Sequence, residues 1–189
     1  MGLFLSIFGG GFVAILCSFF KPAEKAFYPL AIFFQTVPII AIAPLLVIFF
    51  GFGRPTVVVS SFIVSVFPII ANLILGLNST PESWLDLFQI QNATRLQTLF
   101  KLKLPAAYTF IFSGLQISSG LAIIGAIAGE FVAGGGLGAM IDSARTQQRV
   151  DVVFASIILL SFMGLCFMIF WKIVSRLILQ KRPFVPSKD

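Results

Sequence analysis

The sequence predicts an all-α protein, a polytopic transmembrane helical bundle of about five spans carrying a pair of short helices on its cytoplasmic side. Three observations predict it. First, 58% of the 189 residues are hydrophobic and 11% are charged, and the mean hydropathy is +1.04. A soluble domain of this size could not bury that much apolar surface. Second, charge is segregated, for no Asp, Glu, Lys or Arg occurs in Met1–Phe20, Ala26–Gly53, Pro55–Pro81, Leu104–Gly129 or Val152–Trp171. These stretches run 20 to 28 residues, and a helix of about 20 residues crosses a hydrocarbon core about 30 Å thick. Helices are expected because they satisfy their backbone groups internally in lipid. Third, the segment between the third and fourth stretches carries charge together with apolar residues at helical spacing.

Taken in order, span 1 covers about Leu3–Phe20 and ends at Lys21-Pro22. Span 2 runs about Phe27–Phe50 and contains Pro38 and Pro44, which free backbone carbonyls and predict kinks. The turn Gly51-Phe52-Gly53-Arg54-Pro55 leads to span 3, about Thr56–Leu77, predicted to break at Pro68. In Asn78–Leu104, Thr80 is the expected helix cap and Pro81 the first helical residue, with Glu82 near the positive helix end. Trp84, Leu87 and Phe88 fall on one helical face, and Leu96, Leu99 and Phe100 on another. The segment reads as two short amphipathic helices joined at Asn92. Span 4 is about Pro105–Ala128, followed by Gly129-Glu130, the run Gly134-Gly135-Gly136-Leu137-Gly138 and a polar stretch, Asp142–Asp151. Span 5, about Val152–Leu179, ends in a basic tail.

Composition excludes several functions. The chain has no His, which removes histidine catalysis and histidine metal ligation. No Gly-x-x-x-x-Gly-Lys-Ser/Thr loop is present, so ATP binding on this chain is not expected. The net charge of +6 does not indicate nucleic acid, because the basic residues lie between spans and in the tail, where they set topology. Cys17 and Cys166 fall inside spans as packing residues. The 23 Phe against two Trp and two Tyr suit lipid-facing and packed helix surfaces. No cofactor or metal is expected.

With the C-terminus cytoplasmic, Lys21, Lys25, Arg95, Lys101, Lys103, Lys172, Arg176, Lys181, Arg182 and Lys188 lie inside, and Arg54, Arg145 and Arg149 outside. That ten-to-three split fixes orientation by the positive-inside rule. It places the sequons at Asn78 and Asn92 on the side where glycosylation does not occur, and the N-terminus outside. Two alternatives stay open for Glu130, a cap or an ion pair with Arg145 or Arg149 on one hand, and a gating or substrate-facing group on the other. Gln35, Thr36, Asn72, Ser113, Gln116, Ser118 and Ser119 are either pathway residues or interhelical hydrogen-bonding groups.

The 78–104 segment resembles the EAA loop of ABC-importer permeases, whose pattern is Glu-Ala-Ala, three residues, Gly, nine residues, Ile, any residue, Leu-Pro. Anchored on Leu104-Pro105, the pattern puts Asp86 at the acidic position, Leu87 and Phe88 at the alanines, Asn92 at the glycine and Leu102 at the isoleucine. Asn is the non-glycine residue that best tolerates the positive φ a chain reversal requires. Gln35-Thr36-Val37-Pro38, Ala43-Pro44-Leu45, Phe50-Gly51-Phe52-Gly53, Leu104-Pro105-Ala106-Ala107, Ser113-Gly114-Leu115, Gly129-Glu130-Phe131 and Gly136-Leu137-Gly138 are similar to permeases of the nitrate/sulfonate/taurine class, including relatives that import thiamine-pyrimidine precursors.

The resemblance implies a single permease domain over residues 1–182 with a cytoplasmic tail at 183–189, lacking the first of the usual six spans. It implies a membrane-spanning subunit of the bacterial inner membrane that is not itself an enzyme. The expected partners are cytoplasmic ABC ATPase subunits, a second permease copy, an external substrate-binding protein and membrane lipid. Asp86, Leu87, Phe88, Asn92, Arg95, Leu104 and Pro105 are the expected ATPase-coupling residues, with Gln35 and Glu130 as pathway or gate. A secondary transporter or channel without an ATPase partner is the alternative.

Overall fold

A computed structural model describes residues 1–179, with the side chains of residues 21, 23–25, 27 and 179 left aside. The 183–189 tail, the charges at Lys181, Arg182 and Lys188, and the Lys21 and Lys25 side chains therefore lie outside the described residues. The elements are α1 (Gly2–Phe19), α2 (Lys21–Gln35), α3 (Ile39–Phe50), α4 (Arg54–Asn78), α5 (Glu82–Ile90), α6 (Arg95–Thr98), α7 (Leu104–Ala106), α8 (Tyr108–Ala133), α9 (Gly136–Thr146) and α10 (Val150–Leu179). A π-helical turn, Leu99–Lys103, joins α6 to α7. Four helices, α1, α4, α8 and α10, are each long and apolar enough to cross a membrane, and the bent pair α2–α3 is a fifth candidate.

At the centre lies α4, flanked by α1 and α8. Lipid offers helices no hydrophobic reward for associating, so close van der Waals contact and hydrogen bonds must hold them. The sequence supplies both. Gly125 and Gly129 of α8 let its backbone approach α4 at Ser60 and Ser61, and a Cβ on Gly125 would stand 2.7 Å from the Ser60 carbonyl oxygen. Ser61 Oγ donates across to the Ala122 carbonyl at 3.0 Å. On the other flank Ser6 of α1 shares a 2.7 Å hydroxyl contact with Ser65 and donates to the Phe62 carbonyl. Toward the α5 end, Val66, Ile70, Leu73, Ile74 and Leu77 of α4 form an apolar core with Ala14, Cys17, Leu99 and Ala107.

Three proline expectations resolve differently. At Pro38 the chain turns a 95° corner between Tyr28–Gln35 and Ile39–Phe50, far sharper than a kink. Pro44 and Pro68, by contrast, lie inside continuous helices, so span 3 is not broken. Its Pro68 region is packed: Pro68 itself is buried, and Gly114 of α8 abuts the Pro68 carbonyl and Asn72. Gln35, Thr36 and Pro38 are exposed at the corner, and Pro44 is exposed within its helix.

Of the polar stretch expected after span 4, Asp142–Thr146 lies in a helix, α9, and Val150 and Asp151 open α10. Leu137, Met140, Ile141 and Ala144 repeat at i, i+3, i+4 and i+7 along α9, with Ala144 buried and Met140 exposed. Span 4 itself runs later than expected, from Tyr108 to Ala133, and so takes in Glu130. α10 packs on α8 and α9, with Trp171 Nε1 donating to Ser119 Oγ of α8, yet most of its length is exposed. Cys17 is buried and Cys166 exposed, and neither is in a disulfide.

Candidate functional site

The connection from α4 to α8 is built from local rules. α5 starts one residue later than expected: Pro81 caps it and Glu82 opens it, while the Thr80 hydroxyl is buried with no hydrogen-bond partner among the described residues. α5 ends where Asn92 adopts φ +53°. The Asn92 N–H donates to the Gln89 carbonyl at 2.9 Å and the Ala93 N–H to the Phe88 carbonyl at 3.0 Å. This is a Schellman C-cap with Asn at the left-handed position usually held by Gly. The chain then restarts at once with a capping box. Thr94 Oγ1 accepts from Gln97 N–H at 3.2 Å, and Gln97 Oε1 accepts from Thr94 N–H at 2.9 Å. Thr94-x-x-Gln97 is a cap signature readable in the sequence that the periodicity argument overlooked.

The faces of this connection differ from those expected. Trp84, Leu85 and Phe88 are half-buried, while Leu87 is 55% exposed. In the second half the π-turn widens the helix past the α-helical period. Leu99 and Leu102 are buried, and Leu96 and Phe100 are 59% and 62% exposed. Leu87, Ile90, Leu96 and Phe100 therefore make the exposed apolar side, or outer face, of the connection, while the π-turn packs inward through Leu99 and Leu102. Asp86 and Arg95 are exposed, and Leu104 and Pro105 are half-buried at the helical junction into α8. Of the expected coupling residues, Asp86, Leu87, Asn92 and Arg95 thus lie open on the surface. Phe88, Leu104 and Pro105 belong to the supporting side.

At the far end of α8, Glu130 proves to be a cap. Its Oε2 accepts from the Gly138 N–H at 2.9 Å, in the first turn of α9, where a carboxylate is favoured by the exposed N–H groups and the helix dipole. Gly134, Gly135 and Gly136 hold φ of +82°, +87° and +67°, and a Cβ on Gly136 would collide with the Glu130 carboxylate. The glycine run is what lets the chain double back onto its own acid. No ion pair with Arg145 or Arg149 forms, for Arg145 pairs with Asp142 at 2.9 Å and Arg149 with Asp151 at 2.9 Å.

Gln35 lies exposed at the C-terminal end of α2, and no hydrogen bond among the described residues links it to Glu130. The other polar candidates bond mostly within their own helices: Thr36 to Phe33 O, Asn72 to Pro68 O, Ser113 to Thr109 O and Ser119 to Leu115 O. Only Ser119 also reaches another helix, and Ser118 is buried with no hydrogen-bond partner among the described residues. Further bonds between helices come from Ser6, Thr56, Ser61 and Ser65, which sequence reasoning did not single out. Among the described residues no cluster of metal-ligating side chains occurs.

Comparison with known proteins gives a consistent answer. Residues 6–180 match the family described as binding-protein-dependent transport system inner membrane component. The chain is 38% identical over 167 residues to a probable ABC transporter permease protein of Haemophilus influenzae, covering 88% of this chain and 68% of the relative. It is 37% identical to the formylaminopyrimidine transport permease protein ThiX of Halalkalibacterium halodurans, covering 87% and 66%. With the riboflavin transport system permease protein RibX of Chloroflexus aurantiacus it shares 31% identity, covering 83% and 59%. The chain thus spans about two thirds of the length of the curated relatives it matches. Its apolar helices and these matches agree that the chain belongs to the binding-protein-dependent transport inner membrane components, a family of multi-pass ABC-transporter permeases.

Proposed function

We propose that this chain is the pathway-forming permease subunit of an ATP-driven importer of a small solute. Two copies form the pathway, separate cytoplasmic ABC ATPase subunits supply the energy, and an external binding protein delivers the solute. The observation that carries this reading is the apolar outer face of Leu87, Ile90, Leu96 and Phe100 on a segment that packs into the bundle through Leu99 and Leu102 of its π-turn. Four large apolar side chains bared on a charged, water-facing connection favour a protein partner. Asp86 and Arg95 rim that face, and Asn92 sets the angle between its halves. ATPase closure would then move the segment as a lever against α4 and α8 and switch the pathway from one side to the other. Gln35 and Glu130 are assigned to the pathway and its gate, Glu130 acting by releasing or holding α9. The permease domain is assigned to residues 1–182, with 183–189 as a tail. The family membership favours this reading over a secondary transporter.

Orientation follows from the basic residues, with the 79–107 connection and the C-terminus in the cytoplasm. A cysteine replacing Gln147, just past α9, should react with an impermeant thiol reagent added outside intact cells, and one replacing Gln91 should not; Gln91 and Gln147 are both exposed. The reverse labelling pattern would invert the topology and remove the coupling segment from the ATPase's side. The coupling reading itself is tested by recovery of the ATPase with the solubilised permease.

A further inference from the structure

A second feature of the coupling connection lies behind its outer face and shares Arg95 with the rim of that face. Between the end of α1 and the inner side of α5 and α6 lies an open cavity of about 540 Å³, within the range of about 300–1,000 Å³ usual for ligand sites. Arg95 and Lys103 line it, Phe19, Leu85 and Leu99 form its apolar wall, and Gln89 adds an amide. No acidic side chain is among the described residues that line it, and among the described residues neither Arg95 nor Lys103 takes part in an ion pair. Two cations with no ion pair among the described residues therefore share one concavity with an apolar wall.

Its depth is set by α1. That helix is an apolar span ending at Phe19, and Phe19 lines the cavity, so the site sits at the edge of the hydrocarbon layer. A ligand that fits must bring negative charge to Arg95 and Lys103 and apolar chain to Phe19, Leu85 and Leu99. A free anion satisfies only the first demand. We propose that this cavity binds the phosphate headgroup of an anionic phospholipid, with the start of an acyl chain along the apolar wall. A basic side chain near an anionic bilayer surface is worth about a five-fold gain in binding. The lipid would sit directly behind α5 and α6 and brace the connection from the membrane side. This assignment holds for either membrane orientation.

The test uses the whole chain in nanodiscs of phosphatidylcholine doped with phosphatidylglycerol, with lipid retained on detergent extraction counted by native mass spectrometry. No ATPase is present, so failure here leaves the coupling reading standing. The wild type should retain phosphatidylglycerol in preference to phosphatidylcholine, and Arg95→Gln with Lys103→Gln should weaken that preference by about 25-fold, two such factors combined. Arg95→Lys with Lys103→Arg keeps both charges and should keep the preference, which separates charge loss from misfolding. Equal retention by wild type and the Gln pair would overturn the proposal. So would displacement of the lipid by millimolar inorganic phosphate, which would give the site to a free anion.

Discussion

Gly125→Val should drive α4 and α8 apart and remove most of the chain from the folded, detergent-stable fraction. The first added carbon would lie 2.5 Å from Val64 Cγ2, 2.7 Å from the Ser60 carbonyl oxygen and 2.9 Å from Ser61 Cα. Two of those three atoms are backbone and cannot rotate away. Separation would also stretch the bond from Ser61 Oγ to the Ala122 carbonyl, 3.0 Å in length. Overpacking typically costs about 1–3 kcal/mol, and here it comes on top of the loss of a bond that nothing in lipid replaces. Gly120→Val supplies the control, because a Cβ there meets no atom within 4 Å. In thermal unfolding followed by size exclusion, the Gly125 variant should aggregate well below the wild type while the Gly120 variant stays close to it. Equal stability of the two would mean that α4 and α8 are not held at this contact.

The second large effect concerns Asn92. At φ +53° the left-handed backbone is open to Gly and tolerated by Asn, whereas a β-branched side chain clashes there. Asn92→Val must either hold that strain or break the two C-cap hydrogen bonds, and both routes change the angle between α5 and α6. Asn92→Gly keeps the turn. Substrate-stimulated ATP hydrolysis by the assembled transporter should therefore fall at least about ten-fold for Val, a barrier change of about 1.4 kcal/mol, and stay near wild type for Gly. A surface charge change such as Asp86→Asn should matter less, since exposed ion pairs are worth about 0–1 kcal/mol. Identical stimulation for Val and Gly would show that the turn does not set the coupling geometry.

The contrast between these two sites shows what could be read without coordinates. Charge-free stretches marked α1, α4, α8 and α10 because a membrane imposes one dominant requirement, the length of uninterrupted apolar sequence. Asn92 was legible because a left-handed C-cap is a local demand met by few residues. Pro38, Pro44 and Pro68 were not distinguishable, since each has the same ring and lacks the same N–H. Pro68 is buried against α8 while Pro38 and Pro44 are both exposed, yet the chain turns a corner at Pro38 and runs on as helix through Pro44.

The outer face was misjudged for a related reason. A strict helical period put Leu96 and Phe100 with Leu99, whereas Leu99 is buried and Leu96 and Phe100 are exposed. α9 went unrecognised because its apolar repeat follows three glycines, which read as loop. Only the structure shows that those glycines fold the chain back so that Glu130 can cap the helix.

The account's central claim is that the bare face of Leu87, Ile90, Leu96 and Phe100 is where the ATPase docks. The most direct measurement is recovery of the ATPase subunit with affinity-purified permease carrying Leu96→Glu and Phe100→Glu. Both side chains point away from the bundle, with 59% and 62% exposure, so the fold and the amount of permease in the membrane should be preserved. Burying two uncompensated carboxylates in an interface is costly, and ATPase recovery should drop to background. Undiminished recovery from a permease present at wild-type level would contradict the claim and move the docking site elsewhere on the chain.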